Sequence, residues 1–197
     1  EIFQMVVAVA LGIGGAARFA SGPLASGLGV VVLALAPCAY ICAFRAPLPD
    51  RDPRPGLLLH SSLGALSTLI ALRLLVPPAG ALVAVAGLCL AAAWLGISLR
   101  RRVLEAQAAF FALVLAVQSG LLRQAADALF AAGDRDWARL QTPGLAALGV
   151  LVACRAILLR RPADETDPWV RWASNFARLA LTALLLTGVG AVASELL

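Results

Sequence analysis

The sequence predicts an all-α fold, a polytopic membrane helix bundle with about seven transmembrane helices. Two features of the composition indicate this class: 61% of the 197 residues are hydrophobic and only 14% are charged, which is unlike a soluble globular domain. The third observation is positional. All 16 cationic residues are arginines, and they lie at or near the ends of the hydrophobic stretches, where the charges can reach water.

Seven stretches approach the roughly 20 apolar residues that a bilayer core of about 30 Å requires. The predicted spans are residues 2–17, 24–44, 57–76, 81–99, 103–122, 144–159 and 179–197. We interpret 2–17 as a true span rather than a secretory signal, because no basic region precedes it. The sequence thus indicates a single transmembrane domain over residues 1–197.

Prolines support several of these limits. Pro77 and Pro78 end the third span, because two adjacent prolines cannot continue a helix. Thr142 and Pro143 have the pattern of an N-cap followed by proline at the first helical position, so they predict the start of the sixth span. Pro37 lies inside the second span, where we expect it to bend the helix.

The arginines also predict orientation. If the spans alternate, eleven arginines lie on one side of the membrane and five on the other, and the positive-inside rule places the larger group in the cytoplasm. The larger group is Arg45, Arg51, Arg54, Arg100, Arg101, Arg102, Arg155, Arg160, Arg161, Arg171 and Arg178. We therefore expect an inner (plasma) membrane protein with a cytoplasmic N-terminus and an external C-terminus. The net charge of +5 then reflects topology and anionic lipid, and we expect no nucleic-acid partner.

Two connections are long enough to form interfacial elements, residues 123–141 and 160–177. The first places Ala126, Leu129 and Phe130 on one helical face and continues to Trp137, a pattern typical of an amphipathic element in the outer interface. The second contains Trp169 and Trp172. These tryptophans suit an aromatic belt at the headgroup layer, and a partner-docking surface is the alternative.

The residue types present exclude several chemistries. The chain has no lysine, which excludes a retinal Schiff base and a pyridoxal site. It has one histidine, so a bis-histidine haem or a histidine-rich metal site is excluded for this chain alone. We predict no catalytic residues and no metal site, and the sequence specifies no cofactor.

His60 is the candidate cofactor-binding residue, because a neutral imidazole has one donor and one acceptor and can ligate a pigment or relay a proton. A hydrogen-bonded interfacial histidine is the competing interpretation, since His60 lies only three residues inside the predicted span. Cys38 and Cys42 are four residues apart and therefore share a helical face. A soft-metal site there lacks a second ligand pair, so we predict that all four cysteines are small buried hydrophobic residues.

Charged residues within the spans lie near the span ends. Glu105 follows Arg101 and Arg102 by four and three residues, which predicts a helical ion pair close to water. Arg73 and Arg155 lie within about a turn of a span end and can extend to the interface. The middle of each span contains only apolar, small or hydroxyl side chains, whereas a proton or ion pathway normally needs an ionisable group at that depth.

Small residues four apart predict close helix packing in the membrane, where no hydrophobic effect drives helices together. The pairs are Gly12 with Ala16, Ser61 with Ala65, and Gly190 with Ser194. They lie in the first, third and seventh predicted spans. We expect at least one of these faces to contact another membrane subunit.

Residues 100–107 read Arg-Arg-Arg-Val-Leu-Glu-Ala-Gln and begin an apolar helix that ends at Gln118, Ser119 and Gly120. This run resembles a stretch in the small membrane subunits of hydrogenase-4 and complex-I-like assemblies. It covers about a tenth of the chain and lacks the family's intramembrane acid, because a glutamine further along occupies the polar position. Trp94, Gly96 and the three arginines that follow are also similar to repeats in large bacterial multi-pass membrane proteins of unknown function.

These observations predict a non-catalytic integral membrane subunit or scaffold of a larger membrane complex, with membrane lipid and other subunits as partners. The alternative is a transporter of a lipid, a small hydrophobic molecule or protons. An enzyme is disfavoured because no nucleophile, base and orienting group occur together.

Overall fold

The computed structural model describes residues 23–44, 55–99, 101–130, 142–160, 175 and 178–190. These residues form seven helices and no strand. The helices are α1 (Pro23–Phe44), α2 (Pro55–Leu75), α3 (Pro78–Ser98), α4 (Arg102–Gln118), α5 (Leu121–Phe130), α6 (Thr142–Leu159) and α7 (Arg178–Gly190). The predicted all-α class is thus confirmed for the described part of the chain.

Three helices are long and apolar enough to cross a membrane: Leu24–Phe44, Pro78–Ser98 and Thr142–Leu159. Two further apolar stretches, His60–Leu75 and Arg178–Gly190, are shorter. The structure therefore supports a helical fold with three candidate spans, and the count of seven spans stays a prediction. The predicted first span, residues 2–17, lies outside the described residues.

The chain forms two compact units, one up to Ala81 and the other from Leu82 onward. The first unit contains α1 and α2, and the second contains nearly all of α3 together with α4 to α7. The prediction of a single transmembrane domain over 1–197 stays a prediction.

In the first unit, α1 and α2 pack as an antiparallel pair. A Cβ atom built on Gly29, near the start of α1, would lie 2.8 Å from Leu75 at the end of α2. A Cβ atom built on Gly64 would lie 2.9 Å from the ring of Tyr40, near the end of α1. Early residues of one helix thus meet late residues of the other. The close approach depends on glycine at both positions, since a larger side chain would hold the helices apart.

The rest of this contact also uses mostly small side chains. Besides Gly29, the buried residues of α1 include Val32, Ala36, Ala39 and Ala43, and those of α2 include Ser61, Ala65, Ser67 and Ala71. In α1 the separations alternate between four and three residues, which is the heptad spacing of helices that pack along their whole length. Thr68 donates a hydrogen bond to the Gly64 carbonyl at 2.8 Å, so its hydroxyl is satisfied within α2. Pro37 lies inside α1.

In the second unit, α6 and α7 are antiparallel. Arg155, near the end of α6, donates from Nε to Thr182 Oγ1 near the start of α7 at 3.2 Å. A Cβ atom built on Gly188, near the end of α7, would lie 2.6 Å from Leu148 in the first half of α6 and 3.7 Å from Leu121. Leu121 directly follows α4, so the end of α4 lies beside the first half of α6.

Helix α4 is antiparallel to both α3 and α6. The Cys89 thiol of α3 contacts the Ala108 carbonyl of α4 at 3.3 Å and the Cys154 thiol of α6 at 3.2 Å. The turn between α3 and α4, the end of α6 and the start of α7 consequently lie at the same end of this unit. We call it the arginine end, because its described cations are Arg101, Arg102, Arg155, Arg160 and Arg178.

The predicted fifth span is wrong at its end. Helix α4 stops at Gln118 rather than continuing to residue 122, because Gly120 adopts a φ of 77°, which is accessible to glycine and breaks the helical path. Ser119 stabilises the break: its N–H donates to the Leu115 carbonyl at 2.9 Å, and its Oγ accepts from the N–H of Leu121 at 3.4 Å.

Helix α5 begins immediately after this break and runs into the region predicted as an amphipathic interfacial element. Leu121 and Ala125 are buried, and Ala126, on the face predicted to lie in the interface, is exposed. The side chains of Leu129 and Phe130 and the whole of Trp137 lie outside the described residues. The same holds for Trp169 and Trp172, so both interfacial elements stay predictions.

Candidate functional site

The buried polar groups that could bind a ligand or react lie at the arginine end of the second unit. Three groups lie there or directly beneath it: a buried carboxylate on α4, a pair of thiols between α3 and α6, and two half-buried arginines at the facing ends of α6 and α7. Their environments decide what each group can do.

Glu105 is only 2% exposed, although the sequence predicted an ion pair close to water. The carboxylate side chain lies over Gly96 of α3, where a built Cβ atom would be 2.9 Å from Glu105 Cγ and 3.1 Å from the Glu105 backbone nitrogen. Arg101 closes the turn by donating its N–H to the Gly96 carbonyl at 2.8 Å. The predicted exposure was wrong because the turn between α3 and α4 is short and folds Glu105 onto the neighbouring helix. The ion pair with Arg101 or Arg102 stays a prediction.

Cys89 and Cys154 form a buried dithiol, and neither residue is exposed. Their sulfur atoms are 3.2 Å apart and unbonded, and the Cys89 thiol donates to the Ala108 carbonyl at 3.3 Å. With Cys89 donating to that carbonyl, Cys154 is left to donate to the Cys89 sulfur. The two thiols are therefore mutually satisfied in the reduced form.

The other two cysteines differ from the prediction. Cys38 and Cys42 are exposed on α1, so the interpretation of all four cysteines as buried is wrong for this pair. In the described part of the chain, no three residues among histidine, cysteine, aspartate and glutamate converge as metal ligands would.

One hydroxyl links Arg155 of α6 to the first turn of α7, in which Arg178 lies. Thr182 Oγ1 accepts from Arg155 Nε at 3.2 Å and donates to the Arg178 carbonyl at 2.7 Å. Arg155 Nη1 and Arg178 Nε are shielded from solvent and have no hydrogen-bond partner among the described residues. Arg155 was expected to extend to the interface, but its guanidinium instead bonds sideways to α7. This contact joins the ends of the two helices.

His60 is half-buried in the first turns of α2, next to the buried Ser61. It takes part in an interaction within the protein, and it is not grouped with other potential metal ligands among the described residues. Its role as a pigment ligand or proton relay stays a prediction.

The predicted packing residues fall into three classes. Ser61 and Ala65 are buried in the contact between α1 and α2. Gly190 is exposed at the end of α7, and a Cβ atom built there meets nothing within 4 Å. Gly12, Ala16 and Ser194 lie outside the described residues.

Sequence reasoning missed three features. No local pattern indicates the pairing of Cys89 with Cys154 across 65 residues, nor that of Arg155 with Thr182 across 27. Trp94 is 60% exposed and lies one turn before Ser98, where α3 ends. Its position beside Arg100–Arg102 in the sequence is the signal that predicts an interfacial tryptophan.

No family model matches this chain, and no curated protein and no solved structure matches it significantly. The resemblance of residues 100–120 to small membrane subunits of hydrogenase-4 and complex-I-like assemblies therefore stays a prediction.

Proposed function

We propose that this protein is a non-catalytic integral membrane subunit, or scaffold, of a larger membrane complex. Its partners are membrane lipid and at least one other membrane subunit. Under this proposal the chain lies in the inner membrane, with a cytoplasmic N-terminus and an external C-terminus. The observation that carries the proposal is the character of the outward helix faces.

These faces are strongly apolar. Only 28% of the candidate span in α1, 33% of that in α3 and 28% of that in α6 is buried within the protein. Large side chains such as Val31, Ile41 and Val152 are exposed by half or more. Apolar surface of this extent on a soluble protein would drive association, whereas lipid or the apolar surface of another subunit accommodates it.

Glycines on the same faces distinguish a partner from lipid. Gly27, Gly87, Gly149 and Gly190 are exposed, and a Cβ atom built on each meets nothing within 4 Å. A glycine inside a helix lowers helix stability by about 1 kcal/mol relative to alanine, and a lipid-facing surface gains nothing in return. A second helix gains close backbone approach at such positions, so these glycines favour contact with another subunit.

Gly190→Leu is expected to release the protein from its complex while leaving the isolated chain inserted. The added side chain meets none of the described residues, so we expect it to block an external helix. Gentle purification from the native membrane, followed by identification of the proteins that travel with each variant, measures the effect. Val189→Leu is the matched control, because Val189 is exposed in the same turn and the change adds only one methylene.

Two results would contradict the proposal: an intact complex with leucine at Gly27, Gly87, Gly149 and Gly190 in turn, or a native protein that is monomeric in mild detergent. Either result would favour a self-contained carrier of a lipid or small hydrophobic molecule.

Proton transport is the second candidate, and the burial of Glu105 is the observation that favours it, since intramembrane carboxylates often relay protons. Glu105 lies only three residues after the start of α4, far from the middle of that helix. We therefore expect vesicles containing this chain alone to show no proton flux above that of empty vesicles. A saturable flux that Glu105→Gln abolishes would replace the subunit proposal with a transporter.

A further inference from the structure

The arginine end of the second unit carries more positive charge than the described residues balance. Five arginines lie there, whereas Glu105 is the only carboxylate among the described side chains of this unit. Even if Glu105 fully neutralises one arginine, the described carboxylates leave four positive charges at the ends of α3, α4, α6 and α7 unbalanced.

The guanidinium of one of these arginines, Arg155, is oriented by a contact with the neighbouring helix. The Thr182 hydroxyl accepts from Arg155 Nε and uses its single proton on the Arg178 carbonyl. Arg155 therefore lies against the first turn of α7, and its orientation is set by a neutral group that leaves its charge uncompensated. Arg155 and Arg178 are both half-buried.

Each of the two arginines also has a hydrogen-bond donor that the described residues leave unsatisfied. Arg155 Nη1 and Arg178 Nε are out of contact with solvent and have no acceptor in the described part of the chain. A buried donor without an acceptor is unfavourable, and more so when it is charged, so an external acceptor at these donors would be favoured. Guanidinium groups bind phosphate oxygens with paired, charge-assisted hydrogen bonds.

We propose that Arg155 and Arg178, with Arg155 positioned by Thr182, bind a phosphate group at the arginine end of α6 and α7. The phosphodiester of an anionic phospholipid headgroup and free inorganic phosphate share this chemistry. The site lies where a helix pair of this kind meets the headgroup layer, at the end where basic residues interact with anionic lipid. This inference does not depend on the proposed subunit function.

The test uses the full chain in detergent and measures binding of phosphatidylglycerol, phosphatidylcholine and inorganic phosphate, through the rise in thermal unfolding midpoint that a bound ligand produces. Arg155→Gln and Arg178→Gln should each weaken phosphatidylglycerol binding by about tenfold or more, the effect of losing charged hydrogen bonds. Arg160→Gln is the control, because Arg160 is exposed at the same helix end, and it should change binding by less than about twofold.

Thr182→Val keeps both charges and removes only the hydroxyl that orients Arg155, so it should weaken binding without unfolding the unit, and Thr182→Ser should restore binding.

The two ligands identify where the bound phosphate group comes from. Saturable binding of phosphatidylglycerol with no effect of inorganic phosphate assigns the site to a lipid headgroup. Saturable binding of inorganic phosphate with no effect of phosphatidylglycerol assigns it to free phosphate. Equal binding by wild type, Arg155→Gln and Arg178→Gln would overturn the proposal. Tighter lipid binding after Asp164→Asn, Glu165→Gln and Asp167→Asn together would also overturn it, because the chain's own acids would then occupy the arginines.

Discussion

Gly29→Leu is expected to separate α1 from α2 and to cause the loss of the folded first unit. Even the first added carbon would lie 2.8 Å from Leu75 and 3.1 Å from Cβ of Leu74, and the remaining three carbons of leucine have no space. Overpacking a close contact costs about 1–3 kcal/mol, and separation of the helices removes the small-residue packing on which association in a membrane depends. The yield of monodisperse protein and the thermal unfolding midpoint in mild detergent measure the loss.

Gly27→Leu is the control for this prediction. It makes the same chemical change two residues earlier on α1, where a Cβ atom meets nothing within 4 Å. Helix propensity favours leucine over glycine by nearly 1 kcal/mol, so this variant should fold at least as well as wild type. Similar losses in both variants would show that the glycines act through local helix formation rather than through the contact with α2.

The sequence predicts helix limits well where hydropathy and proline coincide. Residues 24–44 correspond to Pro23–Phe44 and residues 144–159 to Thr142–Leu159. The sixth helix begins at the threonine and proline that predict its start. Both helix starts follow from local physics, because a proline in the first turn loses no helical hydrogen bond and already has a helical φ.

The faces of the helices were much less predictable. An apolar helix in a membrane has no polar side to indicate which surface is outward, so Cys38 and Cys42 could not be distinguished from Cys89 and Cys154 by their neighbours. Glu105 was misplaced for the same reason: its exposure depends on Gly96 of another helix. Gly120 ended α4 early without a proline, since glycine permits a positive φ but does not require it.

The candidate site was predictable only as a region. The clustering of arginines at particular span ends predicts that the end of α6 and the start of α7 are close, and the structure brings them together. The selection of Arg155 and Arg178 from that group depends on Thr182, whose hydroxyl has no special sequence signature. Long-range pairs of this kind depend on the relative rotation of two helices about their axes, which a single sequence does not encode in any local pattern.

The second large effect is expected from Gly96→Leu, which should disrupt the contact between α3 and α4. A Cβ atom at Gly96 would lie 3.1 Å from the backbone nitrogen of Glu105 and 2.9 Å from its Cγ. Backbone cannot move aside as a flexible side chain can, so we expect a loss of about 3 kcal/mol, at the upper end of the usual overpacking range. The turn that Arg101 closes on the Gly96 carbonyl should open at the same time.

The buried dithiol provides a local measurement of this disruption. Oxidation by a membrane-permeable diazene removes two protons and two electrons from Cys89 and Cys154 and joins their sulfurs, which are already 3.2 Å apart. The exposed Cys38 and Cys42 are first replaced by alanine so that only this pair reacts. The parent protein should form the intramolecular disulfide nearly completely, and Gly96→Leu should form much less.

Gly87→Leu is the matched control, since it lies on the same helix and a Cβ atom there meets nothing within 4 Å. It should leave both the unfolding midpoint and the crosslinking yield close to those of the parent. Full crosslinking in Gly96→Leu would mean that α3 keeps its place beside α6 without the contact to α4. Glu105 would then be buried as a consequence of the fold rather than as one of the contacts that hold it together.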